Sequence, residues 1–262
     1  MFSLIIVTWN NLPYLKVCID AIKKNSVYDH EILIHINEGR DGTEKWVQDN
    51  GFTYTKSDSN VGLPQGANLI SEHATKDFVC MIDDDIYVLP YWDECLINFR
   101  EEHFEYDTPT WVASVRIEPE GVGNPSVISP FNYGRLPNFN EQQLLSDYLK
   151  LPNPGNMVGV QQTPLLLLRK HWEQVGGYPT EFGKGIGSEE GLAKRMWDIG
   201  CRNYVDVGSS LVYHFQRTST KKLDNYTSHA QNRELQFKKL FGMTSKEFKE
   251  NNLNWRQPWV KR

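Results

Sequence analysis

Over its first 85 or so residues this chain alternates apolar runs with helical patterning, and few folds accept that rhythm. Ser3-Leu4-Ile5-Ile6-Val7 reads as a buried strand. Asn10-Asn11-Leu12-Pro13 then supplies cap residues and a proline suited to a first helical turn, and Leu15, Cys18, Ile19 and Ile22 recur at helical spacing. Glu31 to Ile36 predicts a second strand, Asp41-Gly42-Thr43 a turn into a helix around Trp46 and Val47, and Phe52 to Thr55 a short third strand. Asn60-Val61-Gly62-Leu63-Pro64 opens another helix, which leads to the apolar run Val79-Cys80-Met81-Ile82. Strands separated by helices of roughly 10 to 15 residues imply a parallel sheet, which binds its ligands at the carboxyl ends of the strands. Thr8, Glu38 and Asp83 all fall at such ends.

The fourth run stops at three consecutive carboxylates, Asp83-Asp84-Asp85. Like charges this close raise one another's pKa, so the triplet calls for a positive partner, most simply a hard divalent cation carrying phosphate oxygens. The alternative is a solvated turn, since aspartate is common where strands end.

The chain has 262 residues, 39% of them hydrophobic and 12% aromatic, enough for one large α/β domain or two small ones. A net charge of -5 argues against a nucleic-acid binder, which needs a basic face to displace counterions. Cys18, Cys80, Cys95 and Cys201 are scattered without CxxC pairing, as expected in a reducing compartment. No run approaches the roughly 18 apolar residues of a transmembrane helix, so the expectation is a soluble, cytoplasmic protein without a transmembrane segment.

The order of these segments resembles the nucleotide-sugar-binding half of GT-A glycosyltransferases, especially glycosyltransferase family two. The resemblance rests on Thr8-Trp9-Asn10 after the first strand, Asn37-Glu38-Gly39-Arg40-Asp41-Gly42-Thr43 after the second, Asn60-Val61-Gly62 with Ala67-Asn68, and the acidic triplet as a DXD motif. It implies an α/β GT-A (Rossmann-like) fold, a mixed, mainly parallel sheet flanked by helices. It also implies a divalent cofactor, Mn2+ or Mg2+, and a nucleoside diphosphate sugar as donor, a UDP-sugar first among them. In that reading Thr8 and Trp9 line the nucleobase, Glu38 lies near base or ribose, and Asn10, Asn60, Gly62 and Asn68 belong to the sugar-donor site. Asp83 would accept from ribose hydroxyls and Asp85 bind the cation, with Asp84 the alternative.

The second half adds Leu165-Leu166-Leu167-Leu168-Arg169-Lys170, Trp172 and Val175-Gly176-Gly177-Tyr178, similar to the family's strand, short helix and Val-Gly-Gly-aromatic turn. A helix follows at Ser188 to Trp197, and the family's acidic pair at its start implies Glu190 as general base, with Glu189 the alternative. Acidic residues also favour any helix N-terminus, so the pair is open to a purely local reading. The glycine-rich Gly183 to Gly187 reads as a flexible loop before it.

Ser210 to His214 reads as a strand whose histidine, by resemblance, completes the metal shell, although a histidine satisfied at a strand end is an equal alternative. Arg217, Lys221 and Lys222 suit a departing diphosphate, Arg217 above all. The irregular stretch from Glu118 to Pro154, with Gln161 and Gln162, is the candidate acceptor region for a glycan, lipid-linked or protein acceptor. Residues 1–220 are expected to form the catalytic domain, 1–86 for the sugar donor and 87–220 for acceptor and catalysis. Residues 221–262 are expected to be a helical extension, whose Trp255 and Trp259 suit docking or peripheral membrane contact. The competing functions are nucleotidyl transfer, which lacks its glycine-rich phosphate loop here, and a non-catalytic sugar-nucleotide or glycan-binding module.

Overall fold

A computed structural model describes residues 1–160, 163–216 and 226–261, with the side chains of all but 226–231. The expected alternation is present: β1 (Phe2–Trp9), α1 (Leu12–Asn25), β2 (Glu31–Asn37), α2 (Thr43–Asp49), β3 (Thr53–Ser57), α3 (Leu63–Ser71) and β4 (Phe78–Asp83). Beyond it lie β5 (Ile86–Val88), α4 (Trp92–His103), β6 (Thr110–Ile117), α5 (Glu141–Asp147), β7 (Leu165–Leu168), α6 (Arg169–Val175) and α7 (Ser188–Asp198). The chain continues through β8 (Asn203–His214), α8 (Tyr226–Phe241) and α9 (Ser245–Asn252). The stretch read as irregular holds α5, started by Asn140, whose side chain accepts from Gln143 N at 3.1 Å.

One eight-stranded sheet runs β3-β2-β1-β4-β7-β6-β8-β5. Pairing is parallel across β3, β2, β1 and β4 and between β6 and β8, and antiparallel where β7 joins β4 and β6 and where β5 joins β8. Because β7 reverses direction twice, the carboxyl ends of β1, β2, β4, β6 and β8 share one edge. The crevice lies where β1 is flanked by β2 and β4, the point where the strand order reverses.

The period of two along β1 explains its unbroken apolarity. Phe2, Leu4 and Ile6 face a core shared with Leu15, Cys18 and Ile19 of α1 and Trp92 and Leu96 of α4. Ile5 faces the opposite core, with Ile70 of α3, Trp172 of α6, Leu192 and Met196 of α7, and Phe237 and Phe248 of α8 and α9. The C-terminal helices are thus part of one face of the sandwich. Trp259 packs edge-on against Phe99, with ring centroids 5.2 Å apart. The four cysteines are unpaired, and no helix among the described residues is long and apolar enough to cross a membrane.

Asp206, fully buried in β8, has no hydrogen-bond partner for either carboxylate oxygen among the described residues. Burial pushes its carboxyl up to about 8, against a weak pull from Ser126, which lies outside hydrogen-bonding geometry, and from Arg116. Between an unfolded value near 3.9 and the folded one, the native state holds a proton that the unfolded chain lacks. This contribution is fully present below the unfolded value and is lost as pH rises through the folded one, at ~1.4 kcal/mol per pKa unit. Asp206→Asn is expected to flatten that loss. Urea midpoints of wild type and variant should diverge in the variant's favour between pH 5 and pH 8, and parallel curves would refute the buried neutral acid.

Candidate active site

The acidic triplet turns its three side chains to different tasks. Asp84 is buried, accepting from Thr8 Oγ1 at 2.6 Å and Asn11 Nδ2 at 3.0 Å, so it ties the end of β4 to the end of β1. Burial first, and then the Asp85 charge, push its carboxyl up to about 7. Asn11 was expected to cap α1. Its amide serves Asp84, and Leu12 N donates instead to Asp41 Oδ2 at 2.8 Å.

Asp83 and Asp85 flank it. Asp83 Oδ2 accepts from Arg116 Nη2 at 2.7 Å and Thr163 Oγ1 at 2.8 Å. Asp85 Oδ1 lies 3.4 Å from His214 Nε2, and His214 Nδ1 lies 2.8 Å from Glu118 Oε1. One ligand atom each from Asp83, Asp85 and His214 falls within 4.8 Å of the others. Two hard carboxylate oxygens and one imidazole nitrogen are a donor set that fits Mn2+ or Mg2+. Burial pulls the His214 pKa down, but the Asp85 charge and the hydrogen bonds to Asp85 and Glu118 outweigh it and carry the ring up to about 9.

The rim of the crevice carries strained backbone. Asn10 and Glu38 both adopt positive φ, 48° and 63°, and Asn10 Nδ2 donates to Glu38 Oε2 at 3.0 Å. Trp9 is half-buried, and its side chain helps to hold the Glu38 carboxyl below the usual carboxylate range. Asn60 Oδ1 accepts from Gly62 N at 2.9 Å. Gly62 has φ +91°, and a Cβ there would meet Gly183 O at 2.1 Å, so this turn admits only glycine. The contact seats the loop expected to be flexible: Lys184 Nζ donates to the carbonyl of Asn60.

Asn68 is half-buried. Its amide bonds both the Tyr178 carbonyl and the Tyr178 N–H at 2.9 Å, clamping α3 to the turn before α7. At the start of α7 the acidic pair divides. Glu190, 2% exposed, lies 3.2 Å from Lys249 Nζ and 3.9 Å from Arg233 Nη1. Glu189 is half-buried, and burial, then the charges of Glu190 and Asp83, push its carboxyl up to about 8. Arg217 with Lys221 and Lys222, and Gln161 with Gln162, lie outside the described residues.

Sequence reading passed over Arg116, Thr163 and Lys249, and placed Glu118 only at the start of the acceptor region. For Arg116 and Glu118 a signal existed: they close an apolar strand that runs in the same direction as β4. Lys249 gave none, since a lysine in an amphipathic terminal helix reads as solvated.

The glycosyl transferase family 2 model matches residues 3–151. No curated protein sequence matches the chain. Among solved structures, S. aureus TarS 1-349 is similar with a TM-score of 0.56 at 15% identity, over 92% of this chain and 73% of that one. S. aureus TarS gives a TM-score of 0.50 at 11% identity, over 82% of this chain and 35% of that one. At such identities the likeness speaks for the fold, and the family match covers more than half of the sequence. With the sheet order, the acidic edge and the matched segment in agreement, the chain belongs to glycosyl transferase family 2 and is a glycosyltransferase of GT-A fold.

Proposed function

We propose that the protein moves a sugar from a nucleoside diphosphate sugar, a UDP-sugar first among the candidates, to an acceptor hydroxyl with inversion, using a divalent cation held by Asp83, Asp85 and His214. The convergence of those three ligand atoms within 4.8 Å at the strand-order reversal carries this reading. A bound Mn2+ or Mg2+ would neutralise charge on the leaving diphosphate. The chain's own residues do the rest. Thr8, Trp9, Asn10 and Glu38 form the rim suited to base and ribose, with Glu38 tied to Asn10 and Trp9.

Glu189 suits the role of general base better than Glu190, which the sequence alone ranks first. A base works best with a pKa near ambient pH, and Glu189 sits at about 8, while Glu190 is paired with Lys249. In the step, the acceptor oxygen bonds to the anomeric carbon, the bond from that carbon to the diphosphate breaks, and the hydroxyl proton passes to Glu189. A single base opposite the leaving group suits one displacement with inversion. Acceptors remain those of the sequence reading: glycan, lipid-linked or protein hydroxyls.

Calorimetry with a panel of UDP-, GDP- and dTDP-sugars, with and without Mn2+, tests the site. One donor should bind in a metal-dependent way in the wild type, and its affinity should fall to the metal-free level in Asp85→Asn. Binding of every donor unaffected by metal or by Asp85→Asn would sink the cation reading.

A further inference from the structure

Sheet register brings His214 together with Glu118, a residue from a distant strand end to which the family resemblance gives no metal role. β6 and β8 run parallel with Ile117 opposite Tyr213, so the next residues, Glu118 and His214, leave the sheet side by side. On the other side of β8, Ile86 pairs with His214 and Phe215 N donates to Asp85 O at 3.1 Å, which holds the end of the acidic triplet against the same histidine. His214 is therefore gripped between a carboxylate just beyond the end of β6 and a carboxylate from the β4–β5 turn.

The Glu118 grip is itself supported. Glu118 is 5% exposed, and its two oxygens are engaged separately, Oε1 with His214 Nδ1 at 2.8 Å and Oε2 with Gln216 Nε2 at 2.5 Å. Gln216 reaches Glu118 from a left-handed backbone, φ 60°, and its own Oε1 accepts from Glu120 N at 3.3 Å. A non-glycine residue in that region is strained, so the surrounding structure enforces the placement. Burying a carboxylate is also costly unless it is fully bonded, and here both oxygens are.

We propose that Glu118, braced by Gln216, is a positioning residue for the cation: it fixes the His214 tautomer and ring angle so that Nε2 presents its lone pair beside Asp85. An ionised carboxylate only accepts, so the hydrogen on the imidazole must sit at Nδ1. That leaves Nε2, 3.4 Å from Asp85 Oδ1, as the ligand atom. A carboxylate behind a metal-ligating imidazole fixes the ring in this manner, and its loss typically weakens metal affinity 10- to 100-fold, by roughly the same factor here. The inference rests on the cation reading above.

The test is titration of the full chain with Mn2+ followed by electron paramagnetic resonance, alone and with UDP, in wild type, Asp85→Asn, Glu118→Gln and Gln216→Met. Asp85→Asn should abolish specific Mn2+ binding; if it does not, the cation site itself is wrong. Given that loss, Glu118→Gln should bind Mn2+ about 10-fold or more weakly, and Gln216→Met less severely so. UDP affinity in EDTA should stay at the wild-type value in both, whereas a merely structural role would lower it too. Mn2+ affinity equal to wild type in Glu118→Gln overturns the proposal. Should Glu118→Gln fail to fold, Gln216→Met decides in the same way: weakened Mn2+ binding upholds the proposal, and wild-type binding overturns it.

Discussion

Glu189→Gln is expected to lower turnover by roughly 10²- to 10⁴-fold while leaving sugar-donor affinity near the wild-type value, because a general base acts on the acceptor proton and not on donor binding. The amide keeps the shape of the side chain and removes its basicity. Glu190→Gln should behave differently. Its carboxylate lies 3.2 Å from Lys249 in a buried pair, so neutralising it leaves the ammonium without its partner charge and lowers stability more than it lowers turnover of the folded protein. Release of nucleoside diphosphate with water as acceptor, measured alongside the unfolding midpoint, separates the two. If Glu190→Gln were the inactive variant and Glu189→Gln the active one, the assignment of the base would be reversed.

Lys249→Met is expected to destabilise the protein by about 3–5 kcal/mol, the usual consequence of leaving one member of a buried ion pair unmatched. Only 6% of the Lys249 side chain and 3% of the Glu190 side chain are exposed, so water does not replace the lost partner. Arg233 at 3.9 Å offers partial compensation, which places the effect toward the lower end. Native stability is typically only about 5–15 kcal/mol, so the loss is a large fraction of it. The double variant Glu190→Leu with Lys249→Met should recover much of the loss in urea unfolding, because no unpaired charge then remains. Failure to recover would mean that Lys249 acts through packing, for instance through its contact over the Trp255 ring at 4.4 Å.

The pair also joins a C-terminal helix to the helix that carries the proposed base. α9 lies beyond the segment matched by the family model, yet Phe237 of α8 and Phe248 of α9 enter the same apolar core as Leu192 and Met196 of α7. The tail therefore contributes to holding α7 at the edge of the crevice, and the acidic pair at its start inherits that rigidity.

What the sequence determined by itself is whatever local periodicity encodes. The run Ser3 to Val7 is buried on both faces, the helical spacing of Leu15, Cys18, Ile19 and Ile22 fixes one covering face, and repeated strand–helix alternation makes the first half parallel. Once the strands are parallel, Thr8, Glu38 and Asp83 must share an edge, so the crevice was legible before any coordinates. The tertiary structure decided which of adjacent carboxylates face that crevice. Asp84 is engaged by Thr8 and Asn11, 76 and 73 positions away, which leaves Asp83 and Asp85 to converge with His214. Glu190 is engaged because Lys249, 59 positions on, reaches it, and Glu118 meets His214 across 96 positions through strand register. Neighbouring identical side chains carry identical local signals. Only partners brought from far along the chain, each paired with one of them in a buried setting, distinguish their roles.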